Sequence, residues 1–243
     1  MSRPVALVVA APGTNRDHDV AFALDLAGAE PRIALLAELA EHPQLLDQAG
    51  MLVVAGGFSH ADALGAGRLF AIELQQVLGD RLPGFVAAGR PVIGICNGFQ
   101  TLVRTGLLPG GGRRAALGHN AHGQFECRWV TLDPEPSKCI WTADLDEAIE
   151  CPIAHGEGRF VADDDTITAL ESGGQVALRY RVNPNGSMHD IAGVCDPTGV
   201  VLGLMPHPEN HVVPRQHPRR SRDTAAGLGL RLFEAGVRHA KEL

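Results

Sequence analysis

Cysteine is scarce and shows no pairing pattern: Cys96, Cys127, Cys139, Cys151 and Cys195 are odd in number, and no C-x-x-C occurs. A disulfide framework or a structural zinc site is therefore not expected, and free thiols fit a reducing cytoplasm. No apolar stretch approaches the roughly 20 residues of a membrane span. The N-terminal run at 5–11 is too short for a signal segment with its flanks and reads as a first strand. A basic stripe is also missing. The net charge is −7 with both signs mixed along the chain, which argues against nucleic-acid binding. One short basic cluster, at 215–222, reads as a solvated loop or a partner contact. There is no G-x-x-x-x-G-K-[ST] loop, hence no P-loop for ATP. Internal repeats, low-complexity segments and clear linkers are absent too.

What remains is an ordinary soluble composition in 243 residues, 45% of them apolar. That length fits one large α/β domain over residues 1–243 with a substantial core. Apolar runs at 4–10, 51–54 and 91–93 read as buried parallel strands, and 32–36 reads as a further strand. Helical spacing falls between them, at 19–29, 38–49 (with Pro43 early in it) and within 68–78. Such alternation predicts a doubly wound, mostly parallel open sheet, with ligands at the carboxyl ends of its strands. Beyond Gly106 shorter strand-like runs, such as 125–132 and 175–180, suggest added antiparallel strands. Asn185-Gly186 is a turn signal between such runs, and Gly110-Gly111-Gly112 reads as a loop. Residues 228–240 close the chain as an amphipathic helix.

The most informative segment is Gly94-Ile95-Cys96-Asn97-Gly98-Phe99-Gln100. A cysteine between two glycines at a strand-to-helix turn is a nucleophile elbow with Cys in place of Ser. The glycines allow a sharp turn and close packing, and the following helix aims its first amides at the sulfur. Those amides favour a thiolate and a developing oxyanion, with the Asn97 N–H as one donor. A buried structural thiol is the plainer role for Cys96 alone. Met205-Pro206-His207-Pro208-Glu209, after the apolar run 200–204, argues otherwise. If that segment is extended, residues two apart point the same way. His207 then faces Cys96 while Glu209 holds the imidazole: nucleophile, base and orienter.

At these residues the chain resembles a known family, the class I glutamine amidotransferases. Within it the chain is similar to the glutaminase component of phosphoribosylformylglycinamidine synthase. The matching stretches span most of the chain. They include 12–19, 56–62, the Cys-Asn-Gly-Phe-Gln elbow, Asn120 before 125–130, and His155-Gly156-Glu157-Gly158-Arg159-Phe160. The last are Asn183-Pro184-Asn185-Gly186-Ser187, 190–193 and Pro206-His207-Pro208-Glu209. The resemblance implies a flavodoxin-like three-layer fold and hydrolysis of the glutamine side-chain amide by Cys96, His207 and Glu209. It adds the Gly57 N–H to the oxyanion hole. It assigns Gln100 to glutamine binding, and the backbone around His155, Gly156 and Glu157 to the amino-acid end of the substrate. A partner contact is the alternative role for Glu157 and Arg159. The resemblance also implies that ammonia passes to a large synthase subunit carrying ATP and Mg, in a complex with a small third subunit.

No cofactor is expected on this chain. His119 and His122 lack a convincing set of companion ligands and read as loop residues, so no metal is expected either. The sequence departs from the family at Asn210, where Arg is common, at His122, where Ser is frequent, and in a long segment at 211–222. Three rivals stay open: another α/β hydrolase with a cysteine elbow, a non-catalytic subunit of the same fold, and a glutaminase serving a different synthase.

Overall fold

Strands that are apolar on both faces need cover on both sides. The computed structural model, which describes residues 3–219 and 227–243, provides it. In chain order the strands are β1 (Val5–Ala10), β2 (Glu30–Leu35), β3 (Met51–Val54), β4 (Val92–Ile95), β5 (Ala115–Gly118), β6 (Glu126–Pro134), β7 (Ile149–His155), β8 (Arg159–Ala162), β9 (Val176–Tyr180), β10 (Ile191–Cys195) and β11 (Val201–Leu204). The helices are α1 (Asp17–Leu26), α2 (Leu36–Glu41), α3 (Gln44–Gln48), α4 (Arg68–Leu78), α5 (Arg81–Ala87), α6 (Asn97–Arg104), α7 (Asp164–Ser172) and α8 (Leu230–Glu242).

Nine strands form one sheet in the order β2-β1-β3-β4-β11-β10-β9-β6-β7, and β5 and β8 form a separate antiparallel ribbon. The first five strands of that order pair in parallel. The remaining four join antiparallel. Connections leave β1 in both directions, so right-handed crossovers put helices on opposite faces. Accordingly α1 packs with α8, while α4 packs with both α2 and α6. This is the doubly wound sheet with antiparallel additions that the sequence pattern implies.

The helix expected at 38–49 is instead two short helices, α2 and α3. Pro43 has no N–H to donate and disfavours helical backbone at His42, which sits at φ −127° and ψ 62°. The closing helix buries Leu232, Phe233 and Val237. Of the basic cluster at 215–222, residues 220–222 lie outside the described residues. The part before it folds back onto β6, with the His217 ring 4.3 Å from Trp129. No helix of the described residues is long and apolar enough to cross a membrane.

One register decides the rest of the molecule. β4 and β11 are parallel neighbours, with Ile95 opposite Leu204, and the Cys96 N–H donates to the Leu204 carbonyl at 2.8 Å. Two segments far apart in sequence therefore leave the sheet side by side. Above them α6 lies so close to the sheet that a Cβ on Gly98 would stand 1.9 Å from the Val54 carbonyl oxygen. Only glycine fits there.

Candidate active site

Cys96 is the pivot between β4 and α6, and its backbone is left-handed at φ 51°. A side chain rarely adopts that conformation without compensation. Here the compensation is the tight packing of the elbow glycines and the hydrogen bond that the Cys96 N–H donates to the Leu204 carbonyl. The Cys96 side chain is buried with only an edge exposed.

His207 follows β11. Its N–H donates to the Pro152 carbonyl on β7 at 2.9 Å. The expected extended stretch is absent, because Pro208–Asn210 forms a 3-10 turn. Proline starts such a turn readily, since its φ is already set. The turn swings Glu209 round to the ring, with Oε1 2.6 Å from Nδ1 of His207. Gly56 packs against both side chains: a Cβ there would lie 3.1 Å from Cε1 of His207 and 3.3 Å from Cβ of Cys96. The structure thus brings Cys96, His207 and Glu209 together, by a turn rather than by strand alternation.

Electrostatics favour a charged imidazole. Burial opposes the charge, but Glu209 and the Cys96 sulfur more than offset it and raise the His207 pKa to about 10. Glu209 is fully buried, and its Oε2 has no hydrogen-bond partner among the described residues.

Gly57, Cys96, Gln100, His155, Gly156 and Glu157 all line one cavity of about 210 Å³. Gly57 sits at φ 131° against the loop after β1, where Thr14 pairs with it. Asn97 opens α6, so its N–H lies at the positive end of the helix, among the amides without an intrahelical acceptor. Its side chain turns away into a buried network. Nδ2 donates to Asp62 at 2.9 Å and to Oε1 of Gln100 at 3.2 Å, and Oδ1 accepts from Ser59. Burial and the Glu157 charge raise the Asp62 pKa, against the lowering effect of its Asn97 bond. Gln100 in turn donates to the Glu157 carbonyl.

The loop after β7 is held by a different network. Asn120 Nδ2 donates to the carbonyls of Gln124 and His155, at 2.9 and 2.8 Å, which fixes the amide orientation. Its Oδ1 then accepts from Nδ1 of His155 at 3.1 Å and from the Gly158 N–H at 3.3 Å. His155 is buried and uncharged near neutral pH. Burial first, and the neighbouring His207 charge second, lower its pKa to about 4. Asn185 Nδ2 donates to the Gly158 carbonyl at 2.9 Å and its Oδ1 accepts from the Ser187 N–H and hydroxyl. Arg159 Nε donates to the Gly186 carbonyl at 3.1 Å. His122 pairs with Glu126 at 3.3 Å, and His119 lines the cavity. Among the described residues no group of three or more His, Cys, Asp or Glu is placed to hold a metal ion.

Similarity to known proteins agrees with this geometry. The family model of the CobB/CobQ-like glutamine amidotransferase domain matches residues 3–240. Phosphoribosylformylglycinamidine synthase subunit PurQ of Treponema denticola is 48% identical, over 98% of this chain and 99% of that protein. The chain belongs to the PurQ family of glutamine amidotransferases. The protein of the same name from Lacticaseibacillus casei is 45% identical over 85% of this chain and 86% of its own length. A chain in the structure of PurLQS from Thermotoga maritima superposes with a TM-score of 0.79 at 35% identity, covering 97% of this chain and 98% of that one. A second glutamine amidotransferase from Thermotoga maritima, at 14% identity and a TM-score of 0.60, shares the fold over 100% of this chain and 98% of its own. Membership makes the chain an enzyme with the class I glutamine amidotransferase fold.

Sequence reading missed Ser59 and Asp62, which fix the Asn97 and Gln100 side chains, and it gave Asn120 and Asn185 no physical role. Asn185-Gly186 carried the signal of a turn. Nothing local to it shows that the turn is bonded to the loop after β7.

Proposed function

We propose that this chain is the glutaminase subunit of a phosphoribosylformylglycinamidine synthase, with Cys96, His207 and Glu209 as its catalytic residues. Cys96 attacks the side-chain amide carbon of L-glutamine. His207 has taken the thiol proton, and its high pKa keeps that proton until the amine departs. The carbon–nitrogen bond then breaks as His207 protonates the leaving nitrogen, giving ammonia and a glutamyl thioester. Water attacks the thioester while His207 accepts its proton. Collapse of that intermediate breaks the carbon–sulfur bond and yields glutamate. The N–H groups of Gly57 and Asn97 receive the oxyanion in both steps. Gln100 and the backbone of His155, Gly156 and Glu157 hold the substrate.

The observation that carries the reading is the 2.6 Å contact between His207 and Glu209, with Cys96 beside the same imidazole at the tip of a left-handed elbow. Ammonia is then handed to a large synthase subunit, which supplies ATP and Mg and converts formylglycinamide ribonucleotide to formylglycinamidine ribonucleotide in purine biosynthesis. A small third subunit completes the assembly. Free ammonia would be lost and mostly protonated in water, so turnover should be low in the isolated chain and rise on docking.

The test is glutamate release from glutamine by the chain alone, with its cognate synthase subunit, and as Cys96→Ala. Activity that rises with the partner and vanishes in the variant supports the proposal. No glutamate release with the partner bound would make this a non-catalytic subunit.

A further inference from the structure

The protein is acidic overall, with a net charge of −7, yet one groove on its surface is strongly basic. It encloses about 510 Å³ between α4 and the segment after α6, and Arg68, Arg104, Arg113 and Arg114 line it. No Asp or Glu is among its lining residues. Arg68 and Arg114 are exposed, and neither forms an ion pair among the described residues. The groove also has an apolar side: Leu108 is buried in its wall, and Ile72 is 46% exposed at its edge. Four guanidinium groups over apolar surface suit a peptide with carboxylates and apolar side chains better than a small, fully hydrated anion.

The groove adjoins the glutamine cavity. Gln100 and Arg104 are one helical turn apart on α6 and hold Glu157 between them. Gln100 donates to its carbonyl, and Arg104 pairs with its carboxylate at 3.9 Å. Arg104 Nε also donates to the Ala66 carbonyl at 2.9 Å. Both Ala66 and Glu157 line the glutamine cavity, so Arg104, which lines the groove, is bonded to two residues of the cavity wall. At the cavity mouth Phe58 and Phe125 are stacked, with centroids 6.3 Å apart, and are 42% and 54% exposed. Leu64, between that mouth and Arg68 in sequence, is 73% exposed. Exposed aromatic and aliphatic side chains beside unpaired arginines have the composition of a protein interface.

We propose that this groove receives an acidic segment of the synthase subunit, so that the partner covers the mouth through which ammonia leaves. The inference rests on the reading of the chain as a glutaminase that works with a synthase. Charge complementarity selects the occupant: an acidic chain meets a field that is locally positive against an overall negative surface.

The experiment measures, in low and high salt, the affinity of the full chain for its cognate synthase subunit. Variants are Arg68→Glu/Arg114→Glu, the milder Arg68→Ala/Arg114→Ala, and a control, Arg32→Glu/Arg238→Glu, with the same change in net charge on other surfaces. Glutamate release by each free variant reports that the fold and site are intact. The groove reversal should raise Kd at low salt about tenfold or more, the alanine pair by a smaller factor, and both should flatten the salt dependence. The control should leave Kd within about twofold. Equal affinity of the groove variants and the wild type would overturn the docking assignment while leaving the partnership in place. An equal loss in the control would also overturn it, as an effect of net charge. A wild-type chain that does not bind the synthase would overturn the partnership itself, and the groove assignment with it.

Discussion

The centre of the sheet and its antiparallel edge differ in how they are covered, and on the proposed function they divide the work accordingly. β3, β4 and β11 are buried at every position, whereas β7 alternates buried and partly exposed residues along its length. A parallel strand under helices on both faces has nowhere to move, and its end is a rigid platform. Cys96 and His207 follow two such ends, on strands that are neighbours in the sheet. The outer antiparallel pair β6 and β7, less fully covered, carries the loops at 119–125 and 155–158 that shape the cavity. In the proposed mechanism chemistry rests on the fully covered central strands, and recognition on the partly covered edge pair, tied down by side-chain amides.

If that division holds, the largest effect comes from disturbing the seam under the elbow. In Gly98→Ala the new Cβ meets a backbone carbonyl at 1.9 Å, and neither β3 nor α6 can retreat without unpacking the core. The expected loss exceeds about 4 kcal/mol, enough to leave little folded protein. Thermal unfolding followed by circular dichroism checks this. A well-folded variant within about 1 kcal/mol of wild type would mean that the platform is softer than its packing implies.

Next in size is Glu209→Gln, which keeps the shape but removes the charge behind His207. The analogous loss in a serine protease triad costs about 10⁴-fold in kcat, and a fall of about 10³-fold or more is expected here with KM little changed. The linked stability has a definite sign. A His207 pKa raised to about 10 contributes stability that is fully present below the unfolded value near 6.5 and is lost as pH rises through 10. Urea unfolding between pH 6 and 10 should show that decline in the wild type and a shallower one in the variant. Parallel curves would show that Glu209 does not hold the proton on His207.

His155 tests the junction of the two regions with the opposite sign. Its pKa is lowered to about 4, so between pH 4 and 6.5 the unfolded chain binds a proton that the folded chain excludes. Stability should therefore rise with pH across that window, by about 3 kcal/mol in all. His155→Gln should flatten this limb of a urea-unfolding series. An unchanged slope would place the acid sensitivity on other groups.

The same division explains what the sequence discloses. Apart from the edge strand β2, which reads Glu-Pro-Arg-Ile-Ala-Leu, the parallel strands are mostly Val, Ile, Leu and Ala, and the turns after them carry the glycine and cysteine of the elbow, so this part is read almost directly. The antiparallel half is not. β7 reads Ile-Glu-Cys-Pro-Ile-Ala-His and has a proline inside it, which is tolerated because β7 is an edge strand. α7 offers only Ile167 and Leu170 as apolar repeats. Its start is marked by Asp163, whose carboxylate accepts from the Thr166 N–H at 2.7 Å, within a run of three aspartates that also suits a loop. At the site, Cys96, His207 and Glu209 are legible because the proposed chemistry demands their types. Ser59, Asp62, Asn120 and Asn185 are not, because each acts by bonding to backbone or side chains 27 or more residues away.

Asn185 gives the smallest effect and the sharpest test of the division. It is buried, and its side chain joins the turn at 183–187 to Gly158 in the loop that lines the cavity. Asn185→Ala leaves the Gly158 carbonyl and the Ser187 N–H without those partners, at a cost of about 2 kcal/mol in stability. The elbow and His207 stand on other strands and keep their packing. A loosened binding loop with an intact triad weakens substrate and transition state alike, so KM for glutamine should rise about tenfold while kcat stays within about twofold. Steady-state glutaminase kinetics in the presence of the synthase subunit separates the two constants. A fall in kcat at constant KM would mean that the antiparallel half positions the reacting groups themselves, and the boundary between platform and recognition loops would then have to be drawn elsewhere in the sheet.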